Sequence, residues 1–153
     1  MRLYRGLKNL YRPERVDPGR FSGTDFTDCP AIALLYAQCP RGVILVADLD
    51  DDAATAPNRI CAASWPEREA RRFILWGRFD DFITAVLPAK DLRTRLRREG
   101  RRNAPVATKS HLLRAAIDEE LRVRALRSQL ASRSDIADRS TSYEQGRVIS
   151  HER

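Results

Sequence analysis

With 153 residues the chain has the length of one domain and can bury a continuous core. Hydrophobic residues at 42% and charged residues at 32% exclude disorder by composition and a membrane-spanning protein. No apolar run approaches the roughly 20 residues of a membrane span, and the start Met1-Arg2-Leu3-Tyr4-Arg5 lacks the apolar stretch of a signal peptide. A cytoplasmic protein is expected, or one delivered into the cytoplasm of a target cell, with no membrane partner.

The net charge of +7 is unevenly placed, since residues 1–92 carry 13 basic and 13 acidic side chains whereas residues 93–153 carry 15 and 8. A clustered basic segment raises the local concentration of anionic partners such as nucleic acid. Of the 28 basic residues 25 are Arg, so the excess also fits a solvated Arg-rich surface. Cys29, Cys39 and Cys61 are odd in number, have no metal-ligand spacing and sit among apolar residues, which predicts buried free thiols and no metal.

In chain order, Arg2 to Leu7 alternates basic and apolar residues as a short strand does, and residues 8–23, with two prolines and two glycines, read as a loop. Thr24-Asp25-Phe26-Thr27 reads as a second strand. Asp28 is the expected cap of a helix with Pro30 in its first turn, running through Ala31 to Ala37 and stopping near Cys39-Pro40. Val43 to Ala47 is a continuous apolar run suited to a buried strand, ended by Asp48, Asp50, Asp51 and Asp52. Those four acids invite a metal reading, but solvated acids at a strand end are commoner. Residues 53–66 read as a loop containing a short strand from Ile60 to Ala63. Phe73 to Trp76 and Phe82 to Leu87 are expected as two adjacent strands closed by Pro88. Residues 91–102 form a charged helical turn or two. The longest helical pattern covers residues 110–130, with Leu113, Ile117 and Leu121 on one stripe, widened by Leu112, Ala116, Val123, Leu126 and Leu130. The expected organisation is an α+β fold: a small mixed or antiparallel β-core of short strands with flanking helices and a C-terminal amphipathic helix. Its parts would be a core over 1–92, a basic helical extension over 93–131 and a flexible tail over 132–153.

There is no Gly-rich phosphate loop or zinc spacing, and the only histidines, His111 and His151, fall in the C-terminal third. Chemistry in residues 1–92 must therefore use Arg, Ser/Thr, Tyr and carboxylates. Such an inventory suits cleavage of an N-glycosidic bond to a good leaving group, where an enzyme mainly orients its substrate and stabilises positive charge at an oxocarbenium-like carbon.

Three segments, in order, carry a resemblance: Leu3-Tyr4-Arg5-Gly6; Ser22-Gly23-Thr24-Asp25-Phe26-Thr27 followed by the helix through Ala31 to Ala37; and Glu67-Arg68-Glu69. Over residues 2 to about 88 the chain resembles the Arg-Ser-Glu class of ADP-ribosyltransferases. The resemblance implies NAD as substrate, held by Arg5, Gly6, Thr24, Phe26 and Tyr36, with Arg5 on the diphosphate, Thr24 shaping the ribose site and Phe26 near the nicotinamide. It implies Glu69 and Glu67 as the catalytic carboxylates, Glu69 opposing the oxocarbenium and Glu67 placing the acceptor. In that family a strand starts directly after the second Glu, whereas here Ala70-Arg71-Arg72 are expected to intervene.

The acceptor would be a protein or nucleic acid met by Arg114, Arg122, Arg124 and Arg127, and a cognate inhibitor is a further possible partner. Gly19-Arg20-Phe21 also resembles the related RES-type NAD-degrading toxins. A different class, a non-catalytic nucleic-acid- or partner-binding protein using the Arg-rich helix, stays open. So do structural roles: Arg5 bridging to Asp25 or Asp28, Tyr4, Phe26 and Tyr36 as core aromatics, and Glu67 and Glu69 as solvated partners of Arg68, Arg71 and Arg72.

Overall fold

A computed structural model describes residues 1–8, 24–38, 40–55, 60–65, 70–75 and 82–145. Among these residues six strands, β1 (Arg2–Leu7), β2 (Thr24–Thr27), β3 (Val43–Asp48), β4 (Ile60–Trp65), β5 (Ala70–Leu75) and β6 (Ile83–Pro88), form one sheet in the order β4-β5-β2-β1-β3-β6. Every neighbouring pair is antiparallel. Four helices among the described residues accompany them: α1 (Pro30–Tyr36), α2 (Asp51–Thr55), α3 (Ala89–Arg98) and α4 (Val106–Gln145). The fold is α+β with an antiparallel sheet, and no helix among the described residues is long and apolar enough to cross a membrane.

Alternation along the strands makes two buried faces. Leu3, Phe26, Leu45, Ala47, Leu49, Phe73 and Leu75 form the core of one. Ile44 and Val46 point the other way and are equally buried, which is why β3 reads as an unbroken apolar run. On that second face α1 buries Pro30 through Leu34. It lies so close to β1 that a Cβ at Gly6 would stand 1.9 Å from the carbonyl oxygen of Ala33. Gly6 is therefore required by the packing of α1.

The cap of α1 differs from expectation. Cys29 is the N-cap, without a side-chain cap bond. Asp28 instead accepts hydrogen bonds from the Arg71 backbone N–H and Nε, both at 3.0 Å. The turn into the helix is held by Thr27 Oγ1, which accepts from the Cys29 N–H at 3.1 Å. At the other end the Arg93 guanidinium donates to the carbonyls of Leu34 and Ala37, meeting groups that a helix end leaves without intrahelical partners.

The expected adjacency of the Phe73 and Phe82 strands does not occur. β5 lies between β4 and β2, and β6 lies beside β3 at the opposite edge. The apolar run of β3 has two borders to fill, one taken by β1 and the other by β6, so the two C-terminal strands part. Asp51 and Asp52, expected only to end the strand, and residues 53–55, expected as loop, form α2, whose first turn carries the two acids where they suit the helix dipole. Asp48 belongs to β3 itself and pairs with Arg2 through Nε at 2.6 Å and Nη2 at 2.9 Å. Burial of Asp48 pushes its carboxyl up. The hydrogen bonds and charge of Arg2, the hydroxyl of Thr84 and the charge of the N-terminus outweigh that, and the pKa is held below the ordinary value.

α3 buries Leu92 and Leu96 and ends at Gly100, whose φ of 65° places it in the left-handed region. There the Arg101 N–H bonds the Leu96 carbonyl at 2.8 Å and the Gly100 N–H bonds that of Arg97 at 3.0 Å, the paired pattern of a Schellman stop. The chain divides into two compact units, Met1–Ala116 and Ile117–Arg153, with the border inside α4. In the first unit Leu113 is fully buried, and Ser110 Oγ lies 2.8 Å from the buried, free thiol of Cys29. In the second, Leu126 and Leu130 are exposed, so they do not widen a buried stripe as expected, and the helix continues well past residue 130.

Candidate functional site

The two borders of β1 are unequal. β1 pairs with β3 at six positions, from Arg2↔Asp48 to Leu7↔Val43. With β2 the register holds only at Tyr4↔Thr27, although β2 pairs with β5 along all four of its residues. Beyond that one pair the sheet opens, with Arg5 and Gly6 on one lip and Asp25 and Phe26 on the other. α1, which follows β2 and packs across Gly6, closes the back.

The opening is a cleft of about 330 Å³ lined by Tyr4, Arg5, Gly6, Asp25, Phe26, Thr27, Ala33, Tyr36 and Arg72. Tyr4 and Phe26 are buried, as core aromatics are, whereas Tyr36, at the end of α1, is 43% exposed. Tyr36 is therefore a wall of the cleft and not a core aromatic. Arg5 reaches across the mouth, and its Nη1 donates to the Asp25 backbone carbonyl at 2.6 Å. The expected alternative of a bridge to Asp25 is thus realised through the main chain, leaving that carboxylate to accept from Arg72 Nε at 2.7 Å.

The Arg72 guanidinium thus pairs with the Asp25 carboxylate, while that of Arg5 holds the Asp25 carbonyl at the mouth of the cleft. Such a site suits an anion attached to a flat group, because the guanidinium fork matches phosphate oxygens and the exposed Tyr36 ring offers a face for stacking. No family model, curated protein or solved structure matches this chain. Among the described residues no cluster of His, Cys, Asp and Glu is placed to hold a metal ion.

Of the residues singled out in the sequence, Arg5, Gly6, Phe26 and Tyr36 meet at this cleft. Of Thr24 only the backbone is described, opening β2 opposite Leu75. Glu67 and Glu69 lie outside the described residues. Strand β5 nevertheless opens at Ala70, directly after Glu69 in the chain, so Ala70, Arg71 and Arg72 are strand residues and not an intervening segment. Arg114 donates to the Asp28 carbonyl at 2.8 Å, fixing the start of α4 to the turn before α1. Arg124 pairs with Glu120 at 2.8 Å, and Arg122 and Arg127 are exposed.

Sequence reasoning missed Asp25, Thr27 and Arg72 as cleft residues. Ala70-Arg71-Arg72-Phe73-Ile74-Leu75 has no period-two alternation, so no local pattern carried the strand back to Arg72. Its pairing with Asp25 depends on strand order and could not be read locally.

Proposed function

We propose that the β1–β2 cleft binds NAD and that the chain is an NAD-dependent mono-ADP-ribosyltransferase acting on a protein or nucleic-acid acceptor. The observation that carries this reading is the convergence of Arg5, Gly6, Phe26 and Tyr36, chosen from sequence, on one cleft where the sheet parts. Arg5 would hold the diphosphate, Tyr36 and Phe26 would face the nicotinamide end, and Arg72 would add a second positive charge. A volume of about 330 Å³ is at the low end for small-molecule sites. It suits one nucleoside half, with the rest of the dinucleotide lying outward along the open mouth.

In the proposed reaction the bond between the ribose anomeric carbon and the nicotinamide nitrogen breaks, and its electron pair leaves with nicotinamide. The carboxylate of Glu69 opposes the developing oxocarbenium charge. An acceptor nucleophile forms the new bond and gives its proton to Glu67. The start of β5 at Ala70 supports this assignment, because Glu69 is then three residues along the chain from Arg72 of the cleft.

The test is incubation with NAD labelled in its ADP-ribose part, following free nicotinamide and label bound to macromolecules. A transferase releases nicotinamide and labels an acceptor. NAD consumption without labelling would make the chain a degrading enzyme of the RES type, and no consumption with any acceptor would remove the catalytic reading in favour of a binding protein.

A further inference from the structure

A second concave surface lies between α1, α3 and the first turns of α4, all within the first compact unit. It encloses about 620 Å³, nearly twice the volume of the β1–β2 cleft. Its floor is aliphatic, made by Ala31, Leu34, Leu35 and Leu96, and Leu35 is 48% exposed although Pro30 to Leu34 before it on α1 are buried. Its rim is basic: Lys90, Arg97, Arg102 and Lys109. Among the described residues neither a carboxylate nor an aromatic side chain lines it. Arg97 and Arg102 also line an adjoining depression along residues 100–108, so the positive rim continues past the end of α3.

We propose that this groove docks an acidic amphipathic helix of a partner protein. The apolar floor matches the leucine-type anchors of such a helix at i, i+3, i+4 and i+7, and the rim matches carboxylates flanking that stripe. A nucleic acid fits less well, because no aromatic face lines the groove for unpaired bases to stack on and a phosphate backbone gains nothing from an aliphatic floor. The groove is also built to keep its shape. Arg93 ties α3 to the end of α1 through two carbonyls, and the Schellman stop at Gly100 fixes the turn leading to α4. The inference is independent of what the β1–β2 cleft binds.

The probe is a fluorescein-labelled peptide of about 18 residues, Leu and Glu only, with leucines in the helical anchor pattern. Its binding to the full chain is read by anisotropy near physiological ionic strength. A scrambled peptide of the same composition and a single-stranded oligonucleotide of similar charge are the comparators. The patterned peptide is expected to bind at least about tenfold tighter than the scrambled one, and Leu35→Glu and Arg102→Glu are each expected to weaken it by about tenfold. Thermal melts check that each variant folds. If Leu35→Glu does not fold, Lys90→Gln with Lys109→Gln reports on the rim alone and is expected to weaken binding severalfold. Equal affinity for the two peptides, tighter binding of the oligonucleotide, or indifference to the rim changes would overturn the proposal.

Discussion

Strand β1 is closed along its whole length by β3 and joined to β2 at the single pair Tyr4↔Thr27. The contrast sets a border of β1 that is fully paired against one that parts to leave a cleft. On the β3 side, Leu3, Leu45 and Ala47 belong to a continuous core, and the Arg2–Asp48 pair fastens its end. On the β2 side the ladder stops after one position, and the edge groups and side chains beyond it face a cavity. The cost of the open border is met by α1, which covers β1 at Gly6, and by Arg5, which spans the gap to the Asp25 carbonyl.

The largest effect is expected from Glu69→Gln, which keeps the shape of the side chain but removes the charge proposed to oppose the oxocarbenium. NAD cleavage should fall by about a hundredfold or more, the scale of removing one electrostatic stabiliser, with an unchanged melt. A variant retaining a tenth of the activity would move the role to Glu67.

Gly6→Ala tests the closed back of the cleft. A methyl group 1.9 Å from the Ala33 carbonyl cannot be accommodated without lifting α1 from β1. A loss of about 3 kcal/mol of stability is expected, at the upper end for overpacking, together with loss of NAD binding. Unchanged urea midpoints would mean that α1 is free to shift.

Tyr36→Ala sharpens the comparison, because the ring lines the cleft while being 43% exposed. NAD affinity should drop by about three- to tenfold, the equivalent of roughly 1 kcal/mol, with little change in stability. Equal affinity would confine the ligand to the β1 lip.

The smallest effect belongs to the closed border. Arg2 and Asp48 are 31% and 34% exposed, so their pair is screened and Asp48→Asn should cost below about 1 kcal/mol at neutral pH. The folded-state carboxyl titrates below its ordinary value. Its contribution is therefore complete above the ordinary carboxylate range and is lost as pH falls through the depressed value. Urea midpoints of wild type and variant should differ at pH 7 and converge toward pH 3. A constant difference would show that the pair's charge does not matter.

Much of the architecture was legible locally. β1 and β3 were expected nearly to the residue, because alternation and an unbroken apolar run are properties of neighbouring residues. Helix α1 was legible from Pro30 and the Ala/Leu run, but its cap was not, since Asp28 is drawn away by Arg71 from a strand 43 residues distant in sequence. The same limit hid the separation of β5 from β6 and the Asp25–Arg72 pair, which exist only once strand order is fixed. Arg5, Gly6, Phe26 and Tyr36 were singled out by a resemblance and not by a local pattern, and they line one cleft. Arg114 was read as part of an outward basic face, and its bond to the Asp28 carbonyl depends on where α4 begins.

The most direct measurement is a calorimetric titration of NAD into the wild-type chain and into Arg5→Lys. Lys keeps the positive charge but cannot present the planar fork of donors to a diphosphate or span the strand gap in the same way. Saturable binding by wild type, weakened about tenfold or more in Arg5→Lys with the melt preserved, is the predicted result. Equal affinities, or no binding by wild type, would contradict the placement of a dinucleotide where β1 and β2 part.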